Sequence, residues 1–235
     1  HVPPESLTAL QRTQVEGLEV PAEVRPSVTS CTVDLASPSL DDLRGDDQRL
    51  CDALANAGGE AAISDVEVAR LASAELRRLD WRARVTLRGR EVIHIAAVDV
   101  PWLGLAVDIG TTKIAAYIVD LHTGQTLASR GAMNPQIAYG EDVIARLVTA
   151  RQGPGEAARM QALLVDGLGR MAAEACAEIG ARPADIVDAV VVGNTAIHHL
   201  FLRLPVGQLV LAPYVPAVSA AVDVRASDLG LPLAP

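Results

Sequence analysis

The 235-residue sequence contains few cysteines, few aromatic residues and no long apolar run. Its cysteines, Cys31, Cys51 and Cys176, are too few and too scattered for a disulfide framework, a four-cysteine zinc site or an iron–sulfur cluster held by this chain alone. The apolar runs are too short and too interrupted to cross a bilayer. We therefore expect a soluble, cytoplasmic chain that makes no contact with a membrane.

Positive charge is also scarce. The chain has 29 acidic and 20 basic side chains, a net charge of -9, and lacks the basic stripe that nucleic-acid binding requires. We expect no nucleic-acid partner. The only lysine, Lys113, lies in the most motif-like stretch of the chain. A GC-rich genome that replaced lysine by arginine elsewhere would explain the same observation.

Composition divides the chain into three parts. Residues 1–26 carry four prolines among polar residues, which predicts a linker. Residues 27–99 predict a small α+β domain with a half-buried hairpin at 81–98 and a helix capped by Ser64, with Glu67 completing a capping box. Six arginines around this hairpin allow either an anion-binding face or a solvated face paired with carboxylates. The excess of acidic residues favours the second interpretation.

Residues 100–235 have a different pattern. Three branched apolar runs at 103–109, 114–121 and 126–131 predict consecutive antiparallel strands. Two helices, a buried strand at 186–192 and a short helix at 196–202 follow, which gives the order βββ-α-α-β-α. Because the chain starts without methionine and ends in a loop-like run, we expect it to be part of a longer protein.

The most chemically informative segment joins the first two of these strands. Asp108, Gly110, Thr111, Thr112 and Lys113 form a turn that can present backbone N–H groups and hydroxyls to phosphate, beside a carboxylate able to hold Mg²⁺. The spacing differs from that of a P-loop. A tight hairpin in which Gly110 supplies a positive φ is the structural alternative.

The order of strands and helices around this turn resembles the first half of the acetate kinase, sugar kinase, Hsp70 and actin superfamily. The resemblance implies that residues 108–113 are its first phosphate hairpin and residues 190–195 its connecting segment. The predicted fold class is thus an α+β middle domain followed by an incomplete α/β ribonuclease H-like half-domain. Two such halves enclose ATP and Mg²⁺ in the superfamily, so we expect this chain alone not to close around a nucleotide.

A narrower resemblance lies in four ordered strings: GLAVDIGTTK at 104–113, NPQIAYGEDVI at 134–144, VGNTAIHHLF at 192–201 and APYVP at 212–216. Together they are similar to the ATP-dependent reductive activators of corrinoid proteins. That family has a [2Fe-2S] ferredoxin domain, a linker, a small middle domain and an ATP-binding domain. The cysteines of the ferredoxin domain are absent from this chain.

The resemblance implies an activator that returns inactive Co(II) corrinoid to Co(I) with electrons from a [2Fe-2S] domain outside this chain. Its partner would be a corrinoid protein or a cobalamin-dependent methyltransferase. A homodimer is also implied, and the hairpin at 81–98 is the surface we expect to form it. By itself, this chain is expected to be inactive.

The same resemblance assigns roles to individual residues. Asp108 would be the catalytic residue that organises Mg²⁺ and phosphate, and a cradle for the phosphate would come from Gly110, Thr111 and Thr112. Lys113 would add a positive charge, while Asn194 and Thr195 would face the same cleft. Two other functions stay open: a small-molecule kinase of the same superfamily, and a non-catalytic dimerisation or interaction module.

Other residues have simpler interpretations. His198 and His199 are neighbours on a predicted helix, where they point about 100° apart and do not readily share a metal; packing or surface roles are favoured. Cys176 lies on an apolar helix and is interpreted as a core residue. Residues 134–142 either line the cleft or contact a corrinoid protein, or are simply a turn followed by a helix start.

Overall fold

The computed structural model describes residues 24–234, which fold around two sheets. Residues 1–23 of the predicted linker lie outside the described part of the chain. A small unit, residues 27–99, contains a three-stranded sheet, and a large unit, residues 100–234, contains a four-stranded sheet. This mixed α/β architecture agrees with the predicted fold class.

The elements follow one another in nearly the predicted order. The small unit contains β1 (Thr29–Asp34), α1 (Asp46–Asn56), α2 (Val66–Arg78), β2 (Arg82–Arg88) and β3 (Glu91–Ala96). The large unit contains β4 (Leu103–Ile109), β5 (Lys113–Asp120), β6 (Thr126–Met133), α3 (Val143–Arg151), α4 (Pro154–Glu178), β7 (Ile186–Gly193), α5 (Thr195–Leu202) and α6 (Ala226–Leu229). Short 3₁₀ helices occupy Pro135–Tyr139, Pro183–Asp185 and Gly207–Val210. Elements β4 to α5 confirm the predicted βββ-α-α-β-α order.

In the small unit, α1 and α2 pack on one face of the antiparallel sheet β1-β2-β3. On α2, Val68, Ala72 and Leu76 are buried, and their four-residue spacing places them on one side of the helix. They belong to the same apolar cluster as Leu50 of α1 and Val85 of β2. Burial of this stripe fixes the helix on the sheet.

The cap of α2 differs from the prediction. The N-cap residue is Asp65, whose carboxylate accepts a hydrogen bond from the backbone N–H of Glu67. The hydroxyl of Ser64 instead donates to the carboxylate of Glu91 on β3, at 2.6 Å. The predicted Ser64 capping box is therefore wrong, because a residue distant in sequence engages the serine side chain.

Both faces of the β2–β3 hairpin are covered, so the prediction of a half-buried hairpin is also wrong. On the face away from the helices, Arg84 is only 7% exposed and donates to the carbonyl of Pro101 at 3.1 Å. Burial lowers the pKa of the Arg84 guanidinium. The segment that leads into the large unit contacts Arg84 on this face. Little of the hairpin is left as an apolar surface for a homodimer.

The other arginines near the hairpin are paired with carboxylates. The pairs are Arg77 with Asp46, Arg78 with Glu75, Arg82 with Asp34, Arg88 with Asp188 and Arg90 with Glu60. Most of these guanidinium groups are well exposed to solvent. The structure thus confirms the paired, solvated interpretation over that of an anion-binding face.

In the large unit, α4 packs across one face of the sheet β6-β5-β4-β7. Alternate residues of β4 face this helix, and Leu103, Leu105 and Val107 are almost completely buried there. The side chain of Asp108 projects from the opposite face and is exposed. No helix within residues 24–234 is long and apolar enough to cross a membrane.

Besides the contact of Arg84 with the connecting segment, polar contacts at two further places within residues 24–234 join the units. The carboxylate of Asp188, on β7, accepts from the Arg88 guanidinium of β2 and from the hydroxyl of Ser27. In the second place, Arg225 pairs with Asp65 at 2.7 Å and with Glu91 at 3.4 Å. The Asp188 and Asp65 side chains are only 12% and 7% exposed, so the carboxylates are shielded from water, whereas Arg88 and Arg225 are half-exposed.

The contact between Arg88 and Asp188 gives a stability prediction. Arg88→Ala leaves a largely buried carboxylate with fewer donors, so it should lower the free energy of unfolding by about 1 to 3 kcal/mol. Arg90→Ala is the matched control, because its pair with Glu60 is exposed on both sides and exposed pairs contribute about 0 to 1 kcal/mol. Urea denaturation measures both. Equal losses would show that the contact between Arg88 and Asp188 does not anchor the units.

A cavity of about 780 Å³ lies between the small unit and the loop before β7, and His94 lines it. Burial lowers the pKa of His94, with an opposing influence from Asp185 and a reinforcing one from Arg84. The folded protein therefore keeps this imidazole neutral over a range in which an exposed histidine, with a pKa near 6.5, takes up a proton.

His94 accordingly makes stability dependent on pH. Below about pH 6.5 the unfolded chain binds a proton that the folded chain does not, so the free energy of unfolding should fall as the pH falls. His94→Gln removes this contribution and should lose less stability between pH 8 and pH 5.5 than the wild type does. Urea denaturation at both pH values tests this, and the difference at pH 8 gives the effect of the substitution itself. Parallel pH profiles would contradict the prediction.

Candidate phosphate-binding site

The candidate site is the turn between β4 and β5, at the carboxyl end of β4. Because β4 pairs in parallel with β7, both strands end at the same edge of the sheet, with Ile109 opposite Gly193. The turn that starts at Gly110 therefore lies beside Asn194, the first residue after β7. This pairing brings together the two segments that the sequence analysis assigned to one cleft.

Gly110 is required by a close approach of the backbone. A Cβ atom at this position would lie 2.6 Å from the carbonyl oxygen of Lys113, within the same turn. Gly110 does not adopt a positive φ, so that part of the tight-hairpin alternative is wrong. The absence of a side chain lets the turn close tightly.

The carboxylate of Asp108 is exposed near the mouth of this turn. It lies opposite Ala115 of β5 and Val192 of β7, and it takes part in no hydrogen bond or ion pair with residues 24–234. By the alternation of strand side chains, Lys113 projects from the same face of the sheet. A carboxylate with no partner in this part of the chain is available to a metal ion or to its bound water.

Asn194 connects the turn to α5. Its side-chain oxygen caps the helix by accepting from the backbone N–H of Ile197 at 3.0 Å. Its side-chain nitrogen donates to the hydroxyl oxygen of Thr111 at 3.3 Å. Since that oxygen accepts from Asn194, the hydroxyl proton of Thr111 stays available for a ligand. Thr195 begins α5 and is exposed.

Asn134 contacts the turn from the other side, which agrees with one of the alternatives left open for residues 134–142, that they line the cleft. Its backbone N–H donates to the carbonyl of Thr112 at 2.8 Å, and its side-chain nitrogen donates to the carbonyl of Gly110 at 2.8 Å. Its side-chain oxygen accepts from the backbone N–H of Gln136. The Asn-Pro dipeptide was the available signal, but it indicates a turn without showing what the turn contacts.

The weaker candidates have structural roles. The His199 ring is fully buried; its Nδ1 contacts the carbonyl oxygen of Thr195 at 2.7 Å, and its Nε2 accepts from the backbone N–H of Ala217. This arrangement confirms a packing role. Cys176 is buried in the α4 core, where burial raises the pKa of its thiol. Within residues 24–234, no group of three or more His, Cys, Asp or Glu side chains is arranged to hold a metal ion.

The chemistry of the site follows from these positions. The turn offers backbone N–H groups and two threonine hydroxyls, which can donate hydrogen bonds to phosphate oxygens. The N-terminal turn of α5 begins next to Thr111 and adds the positive end of a helix dipole. Asp108 supplies a negative group, suited to a hydrated Mg²⁺ on the same phosphates.

Two family models match the chain. The model of the RACo linker region matches residues 17–100, and that of the RACo middle region matches residues 103–235. The boundary between the matches falls where the polypeptide passes from the small unit to the large unit. The family descriptions thus use "linker" for the segment that contains the small α+β unit, and "middle" for the segment that contains β4 to α6.

The chain is also similar to two larger proteins. It is 31% identical over 157 residues to the corrinoid activation enzyme RamQ of Eubacterium limosum, which covers 66% of this chain and 26% of RamQ. A solved structure of a reductive activator for corrinoid, iron–sulfur protein superimposes with a TM-score of 0.74 and 28% identity, covering 92% of this chain and 36% of that protein. The chain therefore spans well under half the length of each relative.

The close approach at Gly110 can be tested by substitution. In Gly110→Ala the new methyl group collides with a backbone carbonyl, so the turn must shift, and we expect a loss of about 1 to 3 kcal/mol in the free energy of unfolding. Gly207→Ala is the control, because a Cβ atom there would meet no atom within 4 Å. Chemical denaturation of both variants gives the comparison. If Gly110→Ala were no more destabilising than Gly207→Ala, the turn would have room that the structure does not show.

Proposed function

Because the chain belongs to the RACo family, we propose that it is part of an ATP-dependent reductive activator of corrinoid proteins. The turn at 110–112, held between two asparagines beside the exposed carboxylate of Asp108, is the observation that carries this proposal. The names of RamQ and of the solved activator support it, since both describe corrinoid activation. The partner would be a corrinoid protein or a cobalamin-dependent methyltransferase.

The proposed reaction is a one-electron transfer. A [2Fe-2S] cluster held outside this chain would supply one electron, so that Co(II) of the partner's corrinoid would be reduced to Co(I) as the cluster is oxidised. Binding and hydrolysis of ATP would supply the free energy for a transfer that is uphill for ordinary cellular donors. The residues described above would hold the phosphates and thereby couple this free energy to the conformation of the activator.

The residues present fit one of the implied cofactors and not the other. The N–H and hydroxyl groups at 110–112 can donate hydrogen bonds to the phosphate oxygens of ATP. The carboxylate of Asp108 is a ligand of the kind that Mg²⁺ or its bound water prefers. A [2Fe-2S] cluster needs four ligands, usually cysteine, and the chain has only three cysteines, of which Cys176 lies in the core. We therefore place the cluster in a domain outside this chain, as the family resemblance implies.

In this proposal each residue of the site has a distinct task. The N–H groups and hydroxyls at 111 and 112 orient the phosphates, and Asp108 holds the hydrated cation on them. Lys113 adds positive charge on the same face of the sheet, and Asn194 fixes the Thr111 hydroxyl. Adenosine contacts and the second phosphate loop would come from the other half of the fold.

Asp108→Asn tests the proposal in the full-length protein. Replacing the carboxylate removes the charge that holds the cation while keeping the shape of the side chain. We expect Mg-ATP affinity, measured by calorimetry, to fall at least tenfold, about 1.4 kcal/mol. ATP-dependent formation of Co(I) on the corrinoid protein, followed by visible absorption, should fall with it.

Asp120→Asn is the matched control, because Asp120 lies at the opposite end of the β4–β5 ladder and accepts from the nearby backbone N–H groups of His122 and Thr123. It should leave affinity and Co(I) formation unchanged. A wild-type protein that binds no Mg-ATP would refute the ATP-dependent function and leave the interaction module. Unchanged binding by Asp108→Asn would refute the assignment of this site.

A further inference from the structure

We propose that Asn134 is the positioning residue of the phosphate turn: its side-chain amide holds the Gly110 carbonyl away from the cleft and thereby turns the Thr111 N–H toward it. This inference rests on the proposed function, since it concerns how the turn receives phosphate. It assigns a role to residues 134–136, the first part of the segment 134–142, for which the sequence left a structural and a functional interpretation open.

The geometry of the peptide bond supplies the first step. In a trans peptide unit the C=O and the following N–H point in opposite directions. Asn134 fixes the Gly110 carbonyl by a hydrogen bond of 2.8 Å, so the Thr111 N–H of the same unit points away from Asn134. If this unit turned over, a carbonyl oxygen would replace the N–H and would repel a phosphate oxygen. Holding the carbonyl prevents that exchange.

Asn134 is itself held firmly, which a positioning residue requires. It is 1% exposed, and its backbone N–H extends the β5–β6 ladder by donating to the Thr112 carbonyl. The proline that follows restricts Asn134 to an extended conformation, as observed with φ -65° and ψ 115°. Its side-chain oxygen caps the 3₁₀ helix at Gln136.

The helix that Asn134 caps is in turn attached to the core. The side chain of Gln136 is completely buried and donates to the carbonyl of Met160 on α4, at 3.2 Å. The neighbouring Pro135 lies against Gly167 of the same helix, where a Cβ atom would meet its ring at 3.5 Å. A continuous set of contacts therefore runs from α4 through residues 134–136 to the Gly110 carbonyl.

Asn134→Ser separates positioning from capping. Serine caps helices about as well as asparagine and is uncharged, but its shorter side chain cannot cap Gln136 and also reach the Gly110 carbonyl. In the full-length protein we expect this variant to bind Mg-ATP at least tenfold more weakly than the wild type, by calorimetry, while the midpoint of thermal unfolding changes little. A residue that served only as a cap would leave the affinity unchanged.

Hydrogen exchange without nucleotide gives a second readout. Asn134→Ser should speed amide exchange in the peptide that contains residues 110–113 and leave the peptides of α4 and β7 unchanged. The control is Asp142→Ala, which removes the analogous cap of α3 but makes no hydrogen bond to the turn. It should lower the unfolding midpoint and speed exchange at the start of α3, with Mg-ATP affinity within about twofold of wild type.

Three outcomes would overturn the inference. Wild-type affinity in Asn134→Ser would show that the amide does not position the turn, and the proposed function would stand. Faster exchange throughout the large unit, with a large fall in the unfolding midpoint, would show that Asn134 is only structural. Absence of Mg-ATP binding by the wild type would overturn this inference together with the proposed function.

Discussion

The parallel pairing of β4 with β7 is the constraint on which the candidate site depends. Antiparallel neighbours such as β5 and β6 return the chain to the opposite edge, but a parallel neighbour ends where its partner ends. Only this pairing brings the turn after β4 within hydrogen-bond distance of Asn194, 83 residues further along the chain. The apolar face of β4, buried under α4, keeps the register fixed, because a shift by one residue would exchange Asp108 for a core residue.

Strand β7 also joins the site to the small unit. Asp188, near the start of β7, accepts from Arg88 and Ser27 of the small unit, and Asn194 follows the end of the strand. The six residue steps from Asp188 to Asn194 span about 20 Å of extended backbone. Because a hydrogen-bonded strand is stiff along its length, a displacement at Asn194 would be passed to Asp188 and from there to the small unit. In the proposed function, this provides a physical route between the phosphates and the rest of the activator.

Much of the fold was predictable because its elements obey local rules. The branched apolar runs of β4, β5 and β7 and the helical spacing on α4 need no knowledge of neighbours. The errors arose where a distant residue decided the outcome. Arg84 alternates with apolar residues as an exposed side chain would, yet the connection to the large unit buries it. Ser64 lies in the sequence pattern of a capping box, yet its hydroxyl donates to the carboxylate of Glu91.

At the site, Asp108 and the turn were visible as a motif in the sequence. The hydrogen bond from Asn134 to the Gly110 carbonyl joins residues 24 apart and left no local signal.

The two asparagines at the turn show why this residue type suits the task. Each caps a helix through its side-chain oxygen, Asn134 at Gln136 and Asn194 at Ile197, and each donates its side-chain nitrogen to the turn. Aspartate caps equally well but has no donor when ionised, and serine is too short to make both contacts at these separations. A carboxylate here would also place negative charge beside bound phosphates. The chain uses aspartate instead to cap α3, where Asp142 has only a backbone N–H to accept from. Asparagine therefore occurs at the caps whose side chain also donates to the turn, and aspartate at the cap of α3, whose side chain accepts from a backbone N–H.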